Sequence, residues 1–253
     1  MNLTCPERSA TRRVAWHDVG MLVWLLAACE PVSESDDSGI ASGELLVALD
    51  NISAAGALAS SAGPVDIVIA PGLLLVHDPD WTLFHAGDRV SGLPLEALAE
   101  DGDPAALTAV LADMPEVDSV TLLAAQDGTT YEAAAMGPGG HAAVLVSIRS
   151  DQRLSFVAMF GQSNDVLIST PPGGVTVLRP DGTVAPVPLG LFDAGTEANE
   201  EPGVGENQAP RQAAADTGES TTRGVARIET VDVDGWVYPD PLDFVTLTAT
   251  LQD

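Results

Sequence analysis

The chain has 253 residues, 45% of them hydrophobic, which is enough for one domain with a substantial core and some tail. Acidic side chains outnumber basic ones 37 to 10, every basic residue is an arginine, and the formal net charge is −27. Such a surface repels phosphate backbones and anionic headgroups, so it argues against nucleic-acid binding and electrostatic membrane docking and makes cations the natural partners. The plainer alternative is that the charge only keeps the protein soluble.

The first 28 residues read as an export signal. Arg8, Arg12 and Arg13 give a positive start, and the run from Val19 to Ala28 is apolar but too short to cross a bilayer. Leu26-Ala27-Ala28-Cys29 resembles the lipobox of bacterial lipoproteins, in which the cysteine becomes the acylated N-terminus after cleavage. An ordinary secretory signal is the alternative, and Arg12-Arg13 hints at a twin-arginine signal. The sequence thus divides into a signal at 1–28, a flexible acidic linker at 29–43 and a domain at 44–253. Cys5 and Cys29 are the only cysteines, so no disulfide is expected within the domain.

From Glu44 the chain breaks into short apolar runs separated by Gly, Pro and Asp. They are Leu45–Leu49, Ile67–Ala70, Leu73–Val76, Val117–Leu123, Ala142–Ile148, Leu154–Phe160, Val166–Ile168, Val175–Leu178, Val184–Leu191, Val225–Ile228 and Phe244–Leu251. Several alternate with a period of two. Phe156, Ala158 and Phe160 share one face of their strand, and Val245, Leu247, Ala249 and Leu251 share one face of the last. This pattern predicts a mainly β protein, an antiparallel β-sandwich or barrel. Two short helices interrupt it, one with Leu93, Ala97 and Leu98, the other with Leu107, Val110 and Leu111 after an Asp103 cap and Pro104. Residues 194–222 form the longest stretch without periodicity, expected to be ordered at its start and mobile at its end.

Arg179-Pro-Asp-Gly-Thr183 signals a chain reversal. Counting outward from it brings Asp165, Asp193 and Glu197 to one rim of the sheet, with a register uncertain by a few residues. Carboxylates gathered in this way repel one another unless a cation lies among them or some are protonated. Loop-borne oxygen ligands suit calcium better than magnesium, because calcium accepts six to eight oxygens in a flexible arrangement.

Four blocks carry a resemblance to a known family. They are Trp81–Asp88, Leu95–Leu107, Leu154–Ser169 and Leu191–Glu197, the last reading Leu-Phe-Asp-Ala-Gly-Thr-Glu. In this order they resemble the spondin domain of F-spondin and mindin, which also occurs in bacterial secreted proteins. The resemblance runs from about Glu44 to Gln212. It implies a β-sandwich with a calcium ion at one end, held at the positions of Asp165, Asp193 and Glu197. Glu197 replaces the family's usual Asp, and Val166 stands where animal members often carry Trp. The disulfides and basic repeats of the animal proteins have no counterpart here, so a matrix or heparin function is not expected.

Other signals are weaker. Asp232-Val-Asp-Gly235 imitates part of an EF-hand loop, but Thr230 and Pro241 occupy ligand positions, so a hairpin turn is expected. Gly137-Pro-Gly-Gly140 reads as a turn, since it lacks a phosphate loop's lysine. His77 and His141, each with nearby carboxylates, leave open an envelope hydrolase, and a passive structural lipoprotein is a third possibility. The leading expectation is a non-enzymatic, calcium-binding recognition or adhesion module. It would sit in the bacterial cell envelope on a lipid anchor or be secreted, and contact a protein or glycan on an extracellular surface.

Overall fold

The computed structural model describes residues 39–90, 94–126 and 134–252; the signal segment, Cys29 and Leu93 lie outside them. The protein is mainly β, an antiparallel sandwich with two short helices. The strands are β1 (Ser42–Asn51), β2 (Leu58–Ser60), β3 (Gly63–Val65), β4 (Gly72–His77), β5 (Val117–Leu123), β6 (His141–Arg149), β7 (Arg153–Met159), β8 (Val166–Ser169), β9 (Gly190–Asp193), β10 (Ala226–Ile228) and β11 (Val245–Leu251). Helices α1 (Leu95–Asp101) and α2 (Ala105–Ala112) fall between β4 and β5.

One sheet has the order β11-β1-β6 and the other β10-β9-β8-β7-β4-β5, while β2 and β3 form a separate hairpin. Leu45, Val47 and Leu49 of β1 face Leu74, Phe156, Ala158 and Phe160 of the larger sheet across the main core. A second core lies on the larger sheet's other side. There Leu73, Leu75, Val157 and Leu167 pack against Leu95 and Leu98 of α1 and Leu107 and Leu111 of α2. The molecule is therefore layered as sheet, sheet and helices, and every residue of β4 and β8 is buried. A strand covered on both faces reads as an unbroken apolar run, and one covered on a single face alternates. Gly-Leu-Leu-Leu-Val-His in β4 against the alternating burial of β1 is that contrast.

Three expectations are adjusted. Val175–Leu178 and Val184–Leu191 contribute only isolated bridges before Gly190, because Pro180, Pro186 and Pro188 have no N–H to give a ladder. Ile67–Ala70 is likewise reduced to bridges at Ile69. Pro104 takes the cap position of α2 instead of the first helical one, although the Asp103 carboxylate still accepts the Ala105 N–H at 2.9 Å. The Arg179–Thr183 reversal is present, with Gly182 N–H donating to Arg179 O at 2.9 Å.

Candidate metal centre

Antiparallel pairing of β8 with β9 sets Val166 opposite Asp193, so Asp165, one residue before β8, lies at the same end as Asp193. The Ala194 N–H donates to the Asp165 backbone carbonyl at 3.1 Å and fixes this register. The turn leading into β8 is polar yet buried: Gln162, Ser163, Asn164 and Asp165 are all 3% exposed or less. A buried polar turn must find its partners inside the protein. Ser163 Oγ donates to Phe160 O and accepts from Val166 N–H, and Asn164 Oδ1 accepts from Glu200 N–H.

Asp165 is the exception. Its Oδ2 accepts three hydrogen bonds, from Thr196 N–H at 2.7 Å, Thr196 Oγ1 at 3.1 Å and Glu197 N–H at 3.0 Å. Its Oδ1 is buried and has no hydrogen-bond partner. Burial first, and then the neighbouring Asp193 charge, push the Asp165 carboxyl up to about 7. Asp193 is raised too, chiefly by burial, against hydrogen bonds from Asn199 Nδ2 at 2.8 Å and Gly195 N–H at 2.8 Å. Gly195 is required in this turn. Its φ is +73°, and a Cβ there would stand 2.8 Å from Arg223 O.

The structure brings Asp165 and Asp193 together but turns the Glu197 carboxylate elsewhere. Glu197 Oε1 accepts from Gly218 N–H at 2.9 Å and Oε2 from Asn164 Nδ2 at 3.3 Å. What Glu197 supplies to Asp165 is its backbone N–H. Among the described residues, the one trio of acids with oxygens all within 4.8 Å of one another is Glu96, Glu100 and Asp216, and Glu100 alone of these is buried. Burial raises Glu100 to about 7. None of the described buried side-chain atoms without a hydrogen-bond partner belongs to this trio, and acids crowd without an ion on a surface of this charge.

Two neighbours of Asp193 were not legible as site residues. Asp232 forms the expected hairpin turn, its Oδ1 accepting from Asp234 and Trp236 N–H, both at 2.9 Å. Its charge acts on Asp193, and its other oxygen, Oδ2, is buried on the side of the Tyr238 hydroxyl. Asn199, 8% exposed, sits against Asp193 through Nδ2 and leaves a buried Oδ1 unpartnered. The buried Tyr238 hydroxyl faces the Asp232 carboxylate; burial, then the charges of Asp232, Asp165 and Asp193, push its pKa upward. The cation at hand, Arg223, is already taken by Asp234 through contacts of 2.6 and 2.9 Å. A turn-forming Asp engages one oxygen and spares the other, and that was the available signal at Asp232.

The two histidines are placed differently. His77 is wholly buried, with Nδ1 2.8 Å from the Asp78 carbonyl and Nε2 2.8 Å from Ser155 Oγ. A carbonyl only accepts, so Nδ1 carries the proton and Nε2 accepts from Ser155. Burial lowers the His77 pKa and holds the ring neutral. Gly174, at φ +68°, closes over the pair, and a Cβ there would come within 2.7 Å of both side chains. His141 is half exposed on β6 and meets Asp50 Oδ1 of β1 at 2.6 Å. No family model and no curated protein matches the chain.

Proposed function

We propose that the chain is an exported, spondin-like module that binds calcium at the Asp165 and Asp193 end of the sandwich and acts in recognition or adhesion, without catalysis. One observation carries the reading: a fully buried carboxylate oxygen, Asp165 Oδ1, with no donor facing it and a second buried carboxylate beside it. An uncompensated acceptor of this kind costs about 1–3 kcal/mol, more when charged, and a hard cation removes that cost. The residues fit calcium in chemistry, since carboxylate and amide oxygens on loops are the ligands it takes. The ion would brace the loops at 194–199 and 229–238, leaving their outer faces free to meet a protein or glycan.

Titration of the full chain with calcium chloride is expected to give heat and to raise the melting temperature, by the equivalent of about 2.7 kcal/mol at a hundred times Kd. Asp165→Asn keeps an oxygen for the three donors but loses the charge, so it is expected to bind no calcium and to melt no lower than the parent in chelator. Absence of both heat and thermal shift in the parent would leave a passive structural protein. The hydrolase alternative has less behind it. The His77 and Ser155 pair has the spacing of a nucleophile and base, but it is buried and its Nδ1 rests on a carbonyl instead of a carboxylate.

Export and anchoring rest on the apolar run before Cys29. Labelling with a radioactive fatty acid is expected to mark the parent and not Cys29→Ser, which should leave the membrane fraction; an unlabelled parent sinks the anchor.

A further inference from the structure

β11 is an edge strand of the smaller sheet, paired with β1 on one side only. Its register fixes which backbone groups that pairing uses. Ile52 N–H donates to Phe244 O at 2.8 Å and Gln252 N–H to Glu44 O at 2.9 Å, so the even-numbered residues of β11 face β1. The N–H and C=O groups of Val245, Leu247, Ala249 and Leu251 therefore point to the open side, and among the described residues no backbone hydrogen bond reaches them there.

The opposite edge of the same sheet is closed by the chain itself. On β6, Gln126 behaves as a strand would: its side-chain amide exchanges two hydrogen bonds with the Ala143 backbone at 2.9 and 3.0 Å, and its N–H donates to His141 O at 3.0 Å. Beside β11 lies the segment 184–189, which does not pair with it. Ala185 spends its N–H on Val177 O at 2.8 Å, and Pro186 and Pro188 have none to give. What remains between the two is a groove of about 360 Å³, lined by Val184, Val187, Leu189, Leu242 and β11 itself. Exposure along the strand rises from Leu247 at 5% to Leu251 at 40%, so the edge opens toward its C-terminal end.

A row of unmet donors and acceptors defines its occupant where an apolar trough alone does not. Alternating N–H and C=O groups about 7 Å apart are matched by another extended backbone. Charge narrows the choice. No arginine lines the groove, β11 is uncharged, and Asp240 and Asp243 are exposed at the end where the strand begins. A second copy would bring its own Asp243 and a further net charge of −27 to the contact. A segment that alternates apolar and basic residues meets both demands.

We propose that β11 is a strand-acceptor site, where an extended, basic segment of a partner protein adds to the β6-β1-β11 sheet in the groove beside residues 184–189. Residues opposite Leu247 and Ala249 turn their side chains to the same inner face, so the partner's apolar positions are also those whose N–H groups bond to β11. This gives the recognition reading above a surface and a partner class, and it does not use the calcium site.

The test mixes the full-length protein, in chelator, with a set of acetylated nonapeptides carrying Val, Ile or Leu at alternate positions and Lys between them, read by fluorescence polarisation. Members of the set are expected to bind. N-methylation at the apolar positions is expected to weaken binding at least about tenfold, and N-methylation at the lysines to change it less than about threefold, since only the first removes donors to β11. Glutamate in place of lysine is expected to abolish binding at low salt. Ala249→Pro removes one outward N–H and none that β1 uses, so this variant is expected to fold and to lose affinity by a similar factor. The methylated peptides need no variant and decide alone should Ala249→Pro unfold. A set that does not bind, that binds equally well with its apolar positions methylated, or that binds no better than its glutamate counterpart overturns the proposal and leaves the calcium reading to its own titration. Sedimentation of the parent as a dimer that Ala249→Pro dissolves gives the edge to a second copy and overturns it too.

Discussion

Metal-stripped protein is expected to lose stability as the pH rises from about 4 to about 7, by an amount on the order of 4 kcal/mol. The cause is Asp165, raised from 3.8 to about 7 by burial and by Asp193. Between those values the folded state keeps a proton that the unfolded chain has released, so each step up in pH favours unfolding. Above about 7 both states are ionised and the deficit is complete. Burial moves Asp193, Glu197 and Glu100 in the same direction. His77 works the other way, because its depressed pKa makes the folded state lose ground as the pH falls below 6.5. Subtracting the Asp165→Asn curve isolates the carboxylate. Urea unfolding at pH 5 and pH 8 checks the result, and a parent no less stable than Asp165→Asn at pH 8 would show that Asp165 is not crowded. Calcium is expected to abolish the slope, since the ion competes with the proton and holds the carboxylate charged.

The second large effect is expected in the core beneath this site. Phe160 is fully buried just past the end of β7 and meets Phe244 edge-on at 5.4 Å and Tyr238 at 5.9 Å. Phe160→Ala removes the ring that both of the others pack against and is expected to cost about 3–5 kcal/mol. Phe160→Leu, which refills part of the volume, is expected to lose less. Leu145→Ala on the outer face of β6, where Leu145 is 57% exposed, is expected to stay within about 0.5 kcal/mol. Urea midpoints measure all three. A Phe160→Ala loss as small as that of Leu145→Ala would remove Phe160 from the core account.

What the sequence made legible follows burial. Short apolar runs located β1, β4, β6, β7, β8 and β11, with a period of two read in β7 and β11, because an apolar run is the trace that a covered face leaves in the sequence. The β2 and β3 hairpin escaped notice. Its strands are three residues long, one contains Pro64, and neither has room to show a period. At the candidate site, Asp165 and Asp193 were within reach because a single turn and a short ladder determine their separation. Asn199 and Asp232 were not. Their contact with the site depends on how the loop after Asp193 folds back, with Glu197 bridging to Ser220 and Thr221 N–H reaching Thr196 O, and no local periodicity encodes that path.

In the smaller sheet β1 lies in the middle, between β6 and β11, and pairs Leu45 with Leu251 and Asn51 with Val245. An early segment is thus stitched to one made about two hundred residues later, so closing this layer carries the entropic cost of a very long loop. During synthesis β1 must wait with one flank unmatched until the last strand arrives, which makes slow, late completion a property of the topology itself.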